Sequence, residues 1–172
     1  MNGSRRSRTA FTLRDPFAWP VFAELTRLGE TRGYEAVFLP EIAARDTLVA
    51  LGLLAGETEP LRLGTGVIPM TARSPMLTAM AAATVQERSG GRLILGVGTG
   101  SAVPGALDRL RGFVGQLRAL LAGERVEIDG RAHQMTLVPE VPVPIWISAL
   151  GPRAVRLAGS IADGVLLNWC TP

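Results

Sequence analysis

The stretch LILGVGTG, from Leu93 to Gly100, places three glycines within five residues directly after an apolar run. A strand that ends in such a turn is typical of a loop that holds the phosphates of a dinucleotide. The dinucleotide fingerprint G-x-G-x-x-G does not fit, however, because Gly100 follows Gly98 after a single residue. The stretch also follows the fourth predicted strand rather than the first. The competing interpretation is that Gly96 and Gly98 allow close packing at the end of a strand.

The sequence around this stretch alternates short apolar segments with segments of helical periodicity. Strands are predicted over residues 9–13, 36–39, 61–68, 93–97, 145–148 and 164–168, and helices over 20–32, 48–57, 75–88, 107–121 and 152–162. Asp46 and Ser74 are the predicted N-caps of the second and third helices. Short apolar strands separated by helices are typical of an α/β protein with a parallel sheet. An open doubly wound sheet and a (β/α)₈ barrel both fit.

One segment interrupts this alternation. Residues 126–128 and 135–137 flank Asp129-Gly130, a pair typical of a two-residue hairpin turn. We therefore expect a small hairpin excursion near residues 125–138, outside the main sheet. His133, the single histidine of the chain, falls in this region and is predicted to be a surface or loop residue rather than a catalytic one. Residues 1–172 are predicted to form one domain.

Composition excludes several classes of function. All 18 basic residues are arginine and are scattered among 15 acidic residues, so the net charge of +3 does not indicate a nucleic-acid-binding face. The absence of lysine excludes a P-loop. No apolar run reaches the length of about 18–20 residues that a membrane span needs. No spacing of Cys, His or Asp predicts a metal site. A single cysteine, Cys170, and no secretory signal predict a cytoplasmic protein.

Polar residues and glycines collect at the carboxyl ends of the predicted strands. They are Glu41, Thr65-Gly66, Gly98 to Gly100, Ser148 to Gly151, and Asn168. In a parallel α/β sheet or barrel these ends lie on one face, which is where ligands bind. Glycines there allow a flat ligand to approach the backbone. The sequence therefore predicts a ligand site on this face.

Four stretches in order resemble the bacterial luciferase-like monooxygenase superfamily, in the branch that uses deazaflavin. They are GYEAVFLPE (33–41), LRLGTGVIP (61–69), ERSGGRLILGVGTG (87–100) and VPIWISALGPRAVRLAGSIADGVLLNW (143–169). The resemblance implies a (β/α)₈ barrel that binds one flavin or deazaflavin at the carboxyl ends of its strands. It also implies an oxidoreductase that transfers a hydride between this cofactor and a small organic substrate. Within this resemblance, the stretches LGTGV and SGGRLILGVGTG favour coenzyme F420 as the cofactor, and FMN is the alternative.

The positions at the strand ends and the resemblance together predict the residues of a cofactor site. Those placed at the cofactor are Glu41, Gly66, Val67, Gly98, Thr99, Gly100, Ala149, Leu150, Gly151, Arg153 and Asn168. Family members carry a non-prolyl cis peptide at the positions of Gly66-Val67, as a bulge behind the ring. They bind the cofactor phosphate through backbone N–H groups of the ALGP turn, where Gly151, Arg153 and Ala154 are the expected donors.

Two departures from the family pattern limit what is carried over. Relatives that act on sugar phosphates have a glutamate at the position of Ser101 and a histidine near Glu41, and neither is present here. Their proton-transfer pair is therefore not assigned. Glu41 is the catalytic candidate, as a hydrogen-bonding partner of the ring or as a base. The competing interpretation is that Glu41 is a structural residue that binds a nearby helix or loop. The substrate is not predicted.

The number of predicted strands also falls short of the family architecture. A (β/α)₈ domain takes about 250 residues and eight strands, whereas six strands are predicted here. We therefore expect an incomplete barrel, truncated at its C-terminus, with the first and sixth strands as bare edges. Bare edges pair with other chains, and a homodimer is one way to cover them. This leads to an alternative function: a non-catalytic truncated paralogue or fragment that only associates with a complete barrel.

Overall fold

The structure, a computed structural model, describes residues 8–14, 17–101 and 103–168. Nine strands and five helices follow one another along the described chain. They are β1 (Ala10–Thr12), α1 (Trp19–Thr31), β2 (Ala36–Leu39), α2 (Thr47–Leu54), β3 (Arg62–Thr65), β4 (Ile68–Pro69), α3 (Pro75–Arg88), β5 (Leu93–Gly98), α4 (Ala106–Leu121), β6 (Val126–Ile128), β7 (Arg131–His133), β8 (Ile145–Ala149), α5 (Pro152–Ile161) and β9 (Gly164–Leu167). The predicted strands and helices are thus present, with shifts of a few residues at their ends.

The order of the strands decides between the two architectures. The main sheet runs β1-β2-β3-β5-β8-β9 with every pair parallel, and β4 also lies beside β5. A doubly wound sheet would reverse its order at a switch point, whereas a barrel follows the order of the chain. Within the described residues β1 and β9 do not pair with each other, so the sheet is an open arc of a barrel. The predicted incomplete barrel is confirmed.

The helices cover the convex face of this arc. Outward-facing strand residues such as Leu63, Leu95 and Ile147 are fully buried beneath them in the main hydrophobic core. Two helices begin as predicted: Asp46 Oδ1 accepts from the N–H of Val49 at 3.1 Å, and Ser74 Oγ accepts from the N–H of Leu77 at 3.2 Å. None of the described helices is long and apolar enough to cross a membrane.

The concave face carries large side chains opposite glycines. Phe38 and Trp146 lie there with ring centroids 5.9 Å apart. A Cβ added to Gly64 would overlap the Phe38 ring, and one added to Gly164 would come within 2.5 Å of the Trp146 indole. Gly96 likewise has no room for a side chain, because an added Cβ would overlap the carbonyl oxygen of Thr65. These glycines therefore allow packing on the inner face of the arc, as the competing interpretation of LILGVGTG predicts.

Two expectations about local structure are wrong. The third predicted strand, 61–68, is split into β3 and β4 at Gly66-Val67, where the peptide bond is cis. The hairpin is present, but its second strand is Arg131–His133 rather than 135–137. Asp129 and Gly130 both have positive φ, at 50° and 73°, and so form the predicted two-residue turn directly between the strands. Trp169 and Cys170 lie outside the described residues.

Candidate functional site

The carboxyl ends of four strands form one continuous ledge. The N–H of Glu41, after β2, donates to the carbonyl oxygen of Val67 at 3.4 Å, and the N–H of Met70 donates to that of Gly98 at 2.8 Å. A Cβ on Gly98 would overlap Ser148 Oγ of β8 and would lie 3.0 Å from Val67 Cγ2. The ends of β2, β4, β5 and β8 are therefore in contact, and the cis peptide lies in the middle of the ledge.

A cavity of about 420 Å³ opens beside this ledge. It lies beyond the ends of β5 and β8, between the N-terminal ends of α4 and α5. The residues that line it include Thr99, Ser101, Ser148, Leu150, Gly151 and Arg153. A volume of this order is typical of small-molecule sites, which bury most of a bound cofactor ring or headgroup.

The first turn of α5 faces the same cavity. Its first intrahelical hydrogen bond runs from the N–H of Val155 to the carbonyl oxygen of Gly151 at 3.0 Å. The N–H groups of Arg153 and Ala154 precede this bond and therefore have no partner within the helix. Gly151 has an extended backbone, with φ −139°, and no atom lies within 4 Å of a Cβ built on it. The turn can thus present N–H groups and the positive end of a helix dipole to a phosphate.

Glu41 belongs to a charged cluster next to the ledge. Its Oε2 accepts from the N–H of Thr47, in the first turn of α2, at 3.3 Å. Arg73 Nη1 lies 3.9 Å from the same oxygen and 2.5 Å from Asp46 Oδ2. Asp46 also caps α2. Glu41 therefore has the structural partner that the competing interpretation expects, while its carboxylate remains at the edge of the ledge, 11% exposed.

The pKa values of the two carboxyls in this cluster are shifted in opposite directions. Burial raises the pKa of Glu41, and the hydrogen bond from Thr47 and the charge of Arg73 only partly oppose this rise. For Asp46 burial also acts to raise the pKa, but the hydrogen bond from Val49 and the ion pair with Arg73 outweigh it and lower the pKa. A carboxyl with a raised pKa beside one with a lowered pKa is an arrangement suited to an acid or base and its fixed neighbour.

Asp46→Asn should lower stability in a pH-dependent way. Because the fold lowers the pKa of Asp46, its ionised form stabilises the fold above the unfolded pKa of about 3.9, and this contribution is lost as the pH falls through the folded pKa. Asparagine is an equally good N-cap, so the variant isolates the charge. We expect a loss of about 0.5–1 kcal/mol at pH 7 that shrinks as the pH falls below about 3.9, measured by urea unfolding across pH. Glu127→Gln, exposed on β6, should show no such trend, and a pH-independent loss in Asp46→Asn would contradict the ion pair.

The structure brings some of the predicted site residues together and leaves others apart. Thr99, Leu150, Gly151 and Arg153 line the cavity, and Gly66, Val67, Gly98 and Glu41 lie on the ledge. Ala149 is buried, with its side chain in the outer layer, so only its backbone is near the site. Gly100 has φ 73° and packs against the loop after β4, where its Cβ would lie 2.9 Å from Pro69 Cβ. Asn168 is exposed beyond the end of β9.

Sequence reasoning did not identify Arg73 as a site residue. Its only local signal is a charged residue in the connection TARSP, immediately before the N-cap of α3. Its partners Glu41 and Asp46 lie 32 and 27 positions earlier, in a different connection. Ser101, which was not predicted as a site residue, also lines the cavity, together with Ser148, which was predicted at the end of its strand. Among the described residues no group of three or more His, Cys, Asp or Glu side chains could hold a metal ion.

Comparison with known proteins agrees with this architecture. Residues 3–172 match the family described as luciferase-like monooxygenase. The chain is 35% identical to an F420-dependent glucose-6-phosphate dehydrogenase from Beutenbergia cavernae, over 95% of this chain and 55% of that protein. The chain spans about half the length of the curated relatives it matches.

Solved structures show the same fold at lower identity. The coenzyme F420-dependent tetrahydromethanopterin reductase from Methanopyrus kandleri superposes with a TM-score of 0.78 at 23% identity, over 94% of this chain and 55% of that one. The oxygenating constituent of 3,6-diketocamphane monooxygenase from Pseudomonas putida, in complex with FMN, gives 0.72 at 14% identity, over 88% and 54%. From the match over residues 3–172, with which the arc of parallel strands agrees, we conclude that the chain belongs to the luciferase-like monooxygenase family.

Proposed function

We propose that this chain binds coenzyme F420 at the carboxyl ends of its strands and acts as an oxidoreductase that transfers a hydride to or from a small organic substrate. The observation that carries the proposal is the cavity between α4 and α5: Arg153 and Ala154, whose N–H groups have no partner within α5, line it, and the space at Gly151 is open. The F420-dependent dehydrogenase relative favours F420. FMN is the alternative, since a neighbour of the same fold binds it.

Each part of the site has a role in this proposal. When bound, the cofactor ring supplies the hydride chemistry, for which no amino-acid side chain is suited. The first turn of α5 holds the phosphate through backbone N–H groups, and the hydroxyls of Thr99, Ser101 and Ser148 add hydrogen-bonding groups around it. The bulge at Gly66-Val67 supports the ring. Glu41 donates or accepts a proton at its carboxylate, with Arg73 and Thr47 holding it in place. The reaction is proposed to take place in the cytoplasm.

The proposal is tested by titrating the purified chain with F420 and with FMN and following the absorbance bands of each. We expect saturable binding of F420 that is tighter than that of FMN. Tight binding of FMN alone would reverse the choice of cofactor. If neither cofactor binds, the proposed function is wrong for this chain.

Glu41→Ala should lower turnover at least tenfold, since a positioned acid or base contributes about 10²–10⁴-fold to a rate. It should also lower the free energy of unfolding by about 1 kcal/mol, because the N–H of Thr47 loses its acceptor. Glu41→Gln keeps an acceptor oxygen and should retain stability while losing the same activity. Turnover kinetics and urea unfolding on both variants separate the two roles. Full activity in Glu41→Gln would show that Glu41 is structural.

The open sheet supports a second candidate function, in which the chain only associates with another barrel or with its own copy. β1 and β9 each have one neighbour among the described strands, and the outward side chains Val165 and Leu167 of β9 are 37% and 56% exposed. Exposed strand edges with apolar side chains pair readily with other chains.

We expect the chain to form dimers or larger species in size-exclusion chromatography with light scattering. Leu167→Lys should shift it toward the monomer, because charged side chains on edge strands oppose pairing. The same charge introduced at the exposed Leu137, near the hairpin, is the control and should leave the association unchanged. A monodisperse, cooperatively melting monomer with full cofactor affinity would refute both the self-association and the second candidate function.

A further inference from the structure

The chain contains two Asp-Gly pairs, Asp129-Gly130 and Asp163-Gly164. In such a pair the backbone nitrogen of the glycine can attack the side-chain carboxyl carbon of the aspartate, because glycine has no Cβ to block the approach. In a folded chain this attack needs a carboxyl group that is free to turn and a peptide bond that is free to follow it. The two pairs differ in both respects.

The pair Asp129-Gly130 is free in both respects. It forms the two-residue turn between β6 and β7, with φ of 50° and 73°, and both residues are exposed. The Asp129 carboxyl forms no hydrogen bond or ion pair with another described residue, and the N–H of Gly130 has no backbone acceptor among them. No atom lies within 4 Å of a Cβ built on Gly130. The carboxyl can therefore turn onto the glycine nitrogen without breaking a contact.

The pair Asp163-Gly164 is held in both respects. Asp163 Oδ2 accepts from the N–H of Ile145 at 2.8 Å and from Arg118 Nη2 at 2.9 Å. The N–H of Asp163 donates to the carbonyl oxygen of Ile145 at 2.8 Å, and Gly164 begins β9 and is paired with β8. Asp163 is exposed, as Asp129 is. Contact with water therefore does not distinguish the two pairs, whereas their hydrogen bonds do.

We propose that Asp129 is a site of spontaneous covalent modification, at which the link to Gly130 becomes an isoaspartyl link. The Gly130 nitrogen forms a bond to Cγ of Asp129, and the carboxyl hydroxyl leaves with the proton of that nitrogen as water. Water then opens the resulting succinimide ring. Opening at the backbone carbonyl carbon leaves the main chain running through Cγ and the α-carboxylate as a branch. The reaction needs no oxidant, reductant or cofactor and is independent of the proposed function.

The modification is expected to alter the hairpin and not the ledge. The isoaspartyl main chain is longer by one carbon, so the turn no longer matches the pairing of Ile128 with Arg131. Val126 and Ile128 pack against the main core, and we expect this contact to loosen. Amide hydrogen exchange in β6 and β7 should become faster in the modified fraction. The cavity at the ledge lies at the other end of α4 and should keep its properties.

The test is prolonged incubation of the folded chain near neutral pH, followed by digestion with trypsin. Isoaspartate is measured with a protein isoaspartyl methyltransferase in the peptides of residues 126–131 and 157–172, each of which contains one pair. We expect about tenfold more in the first peptide, because Asp163 must lose at least one hydrogen bond before it reacts, and tenfold corresponds to about 1.4 kcal/mol. Equal amounts, or isoaspartate in neither peptide, would overturn the proposal. Deamidation of Asn2-Gly3 would be detected separately, in residues 1–5.

The unfolded chain separates the effect of the fold from that of the local sequence. In guanidinium chloride the contacts of Asp163 are absent, so the two peptides should give similar amounts of isoaspartate. A preference for Asp129 that persists unchanged in the unfolded chain would overturn the structural explanation.

Three variants complete the test. In Asp129→Gly, which keeps a turn suited to positive φ, incubation should no longer accelerate hydrogen exchange in β6 and β7. Arg118→Gln removes one partner of the Asp163 carboxylate and should raise isoaspartate at Asp163 severalfold. Arg27→Gln, which breaks the exposed ion pair with Glu57, is the matched control and should leave both peptides unchanged. An unchanged level at Asp163 in a folded Arg118→Gln variant would contradict the protection by hydrogen bonds.

Discussion

Gly96→Ala is expected to destabilise the fold by about 3 kcal/mol or more, because overpacking against backbone has no cheap relief. The added Cβ would overlap the carbonyl oxygen of Thr65 and would lie 2.9 Å from Leu166 Cδ1. The side chain of Leu166 can turn away. Thr65 cannot, since its Oγ1 donates to the carbonyl oxygen of Gly96 at 2.7 Å and its strand is paired with β2. The variant must therefore separate β3 from β5 at the centre of the sheet.

The measurement is thermal and urea unfolding of the variant beside the unaltered chain. We expect a fall in Tm of about 6–12 °C for a chain of this size. Gly112→Ala is the control: it lies in α4 with no atom within 4 Å of its Cβ, and it should raise stability by about 0.5–1 kcal/mol through helix propensity. A Tm within 2 °C of the unaltered chain for Gly96→Ala would mean that Gly96 is not required for packing.

Gly96 also shows where reasoning from the sequence stops. The run LILGVGTG predicts a buried strand, and β5 is one, buried along its whole length. Whether its glycines face a ligand or a neighbouring strand depends on Thr65 and Leu166, which lie 31 and 70 positions away in the chain. Periodicity within a window of a dozen residues carries no information about such partners. The sequence alone therefore left both interpretations open.

The same limit explains the errors in the third strand and in the hairpin. Apolar residues continue through 61–68, so the pattern predicts one strand, but the pairing with β2 ends at Thr65 and β4 pairs with β5. Only the family resemblance indicated the cis peptide that lies between β3 and β4. In the hairpin, the two positive-φ residues bring Arg131 opposite Ile128. Met135, taken as a strand residue from its hydrophobicity, instead packs into the core.

Only part of the charged cluster formed by Glu41, Asp46 and Arg73 could be predicted from the sequence. Asp46 was expected as an N-cap because that role depends on residues three positions away, and Asp46 indeed caps α2. Its ion pair with Arg73, and the approach of Arg73 to Glu41, depend on how the connections after β2 and β4 meet on the ledge. Local roles follow from sequence spacing, whereas this contact exists only once the strands are placed side by side.

Gly151→Val is expected to weaken binding of a phosphate-bearing cofactor by about 10–100-fold while changing stability little. Gly151 has φ −139° and ψ 166°, a conformation that valine adopts readily, so the substitution does not strain the backbone. The reason for the expected loss of affinity is steric. The Cβ of residue 151 points into space free of this chain's own atoms, at the edge of the cavity, so the branched side chain would obstruct the approach of a phosphate to the first turn of α5.

The expected 10–100-fold loss is about 1.4–2.7 kcal/mol and corresponds to about one charge-assisted hydrogen bond, which contributes about 1.5–3 kcal/mol. Titration of F420, FMN and riboflavin against both chains measures it: the two phosphate-bearing ligands should lose affinity, whereas riboflavin, which has no phosphate, should not. Gly159→Val is the matched control, since it lies in the same helix, also with no atom within 4 Å of its Cβ, and away from the cavity. Unchanged affinity for the phosphate-bearing ligands in Gly151→Val would place the phosphate elsewhere on the ledge and leave the first turn of α5 without a ligand.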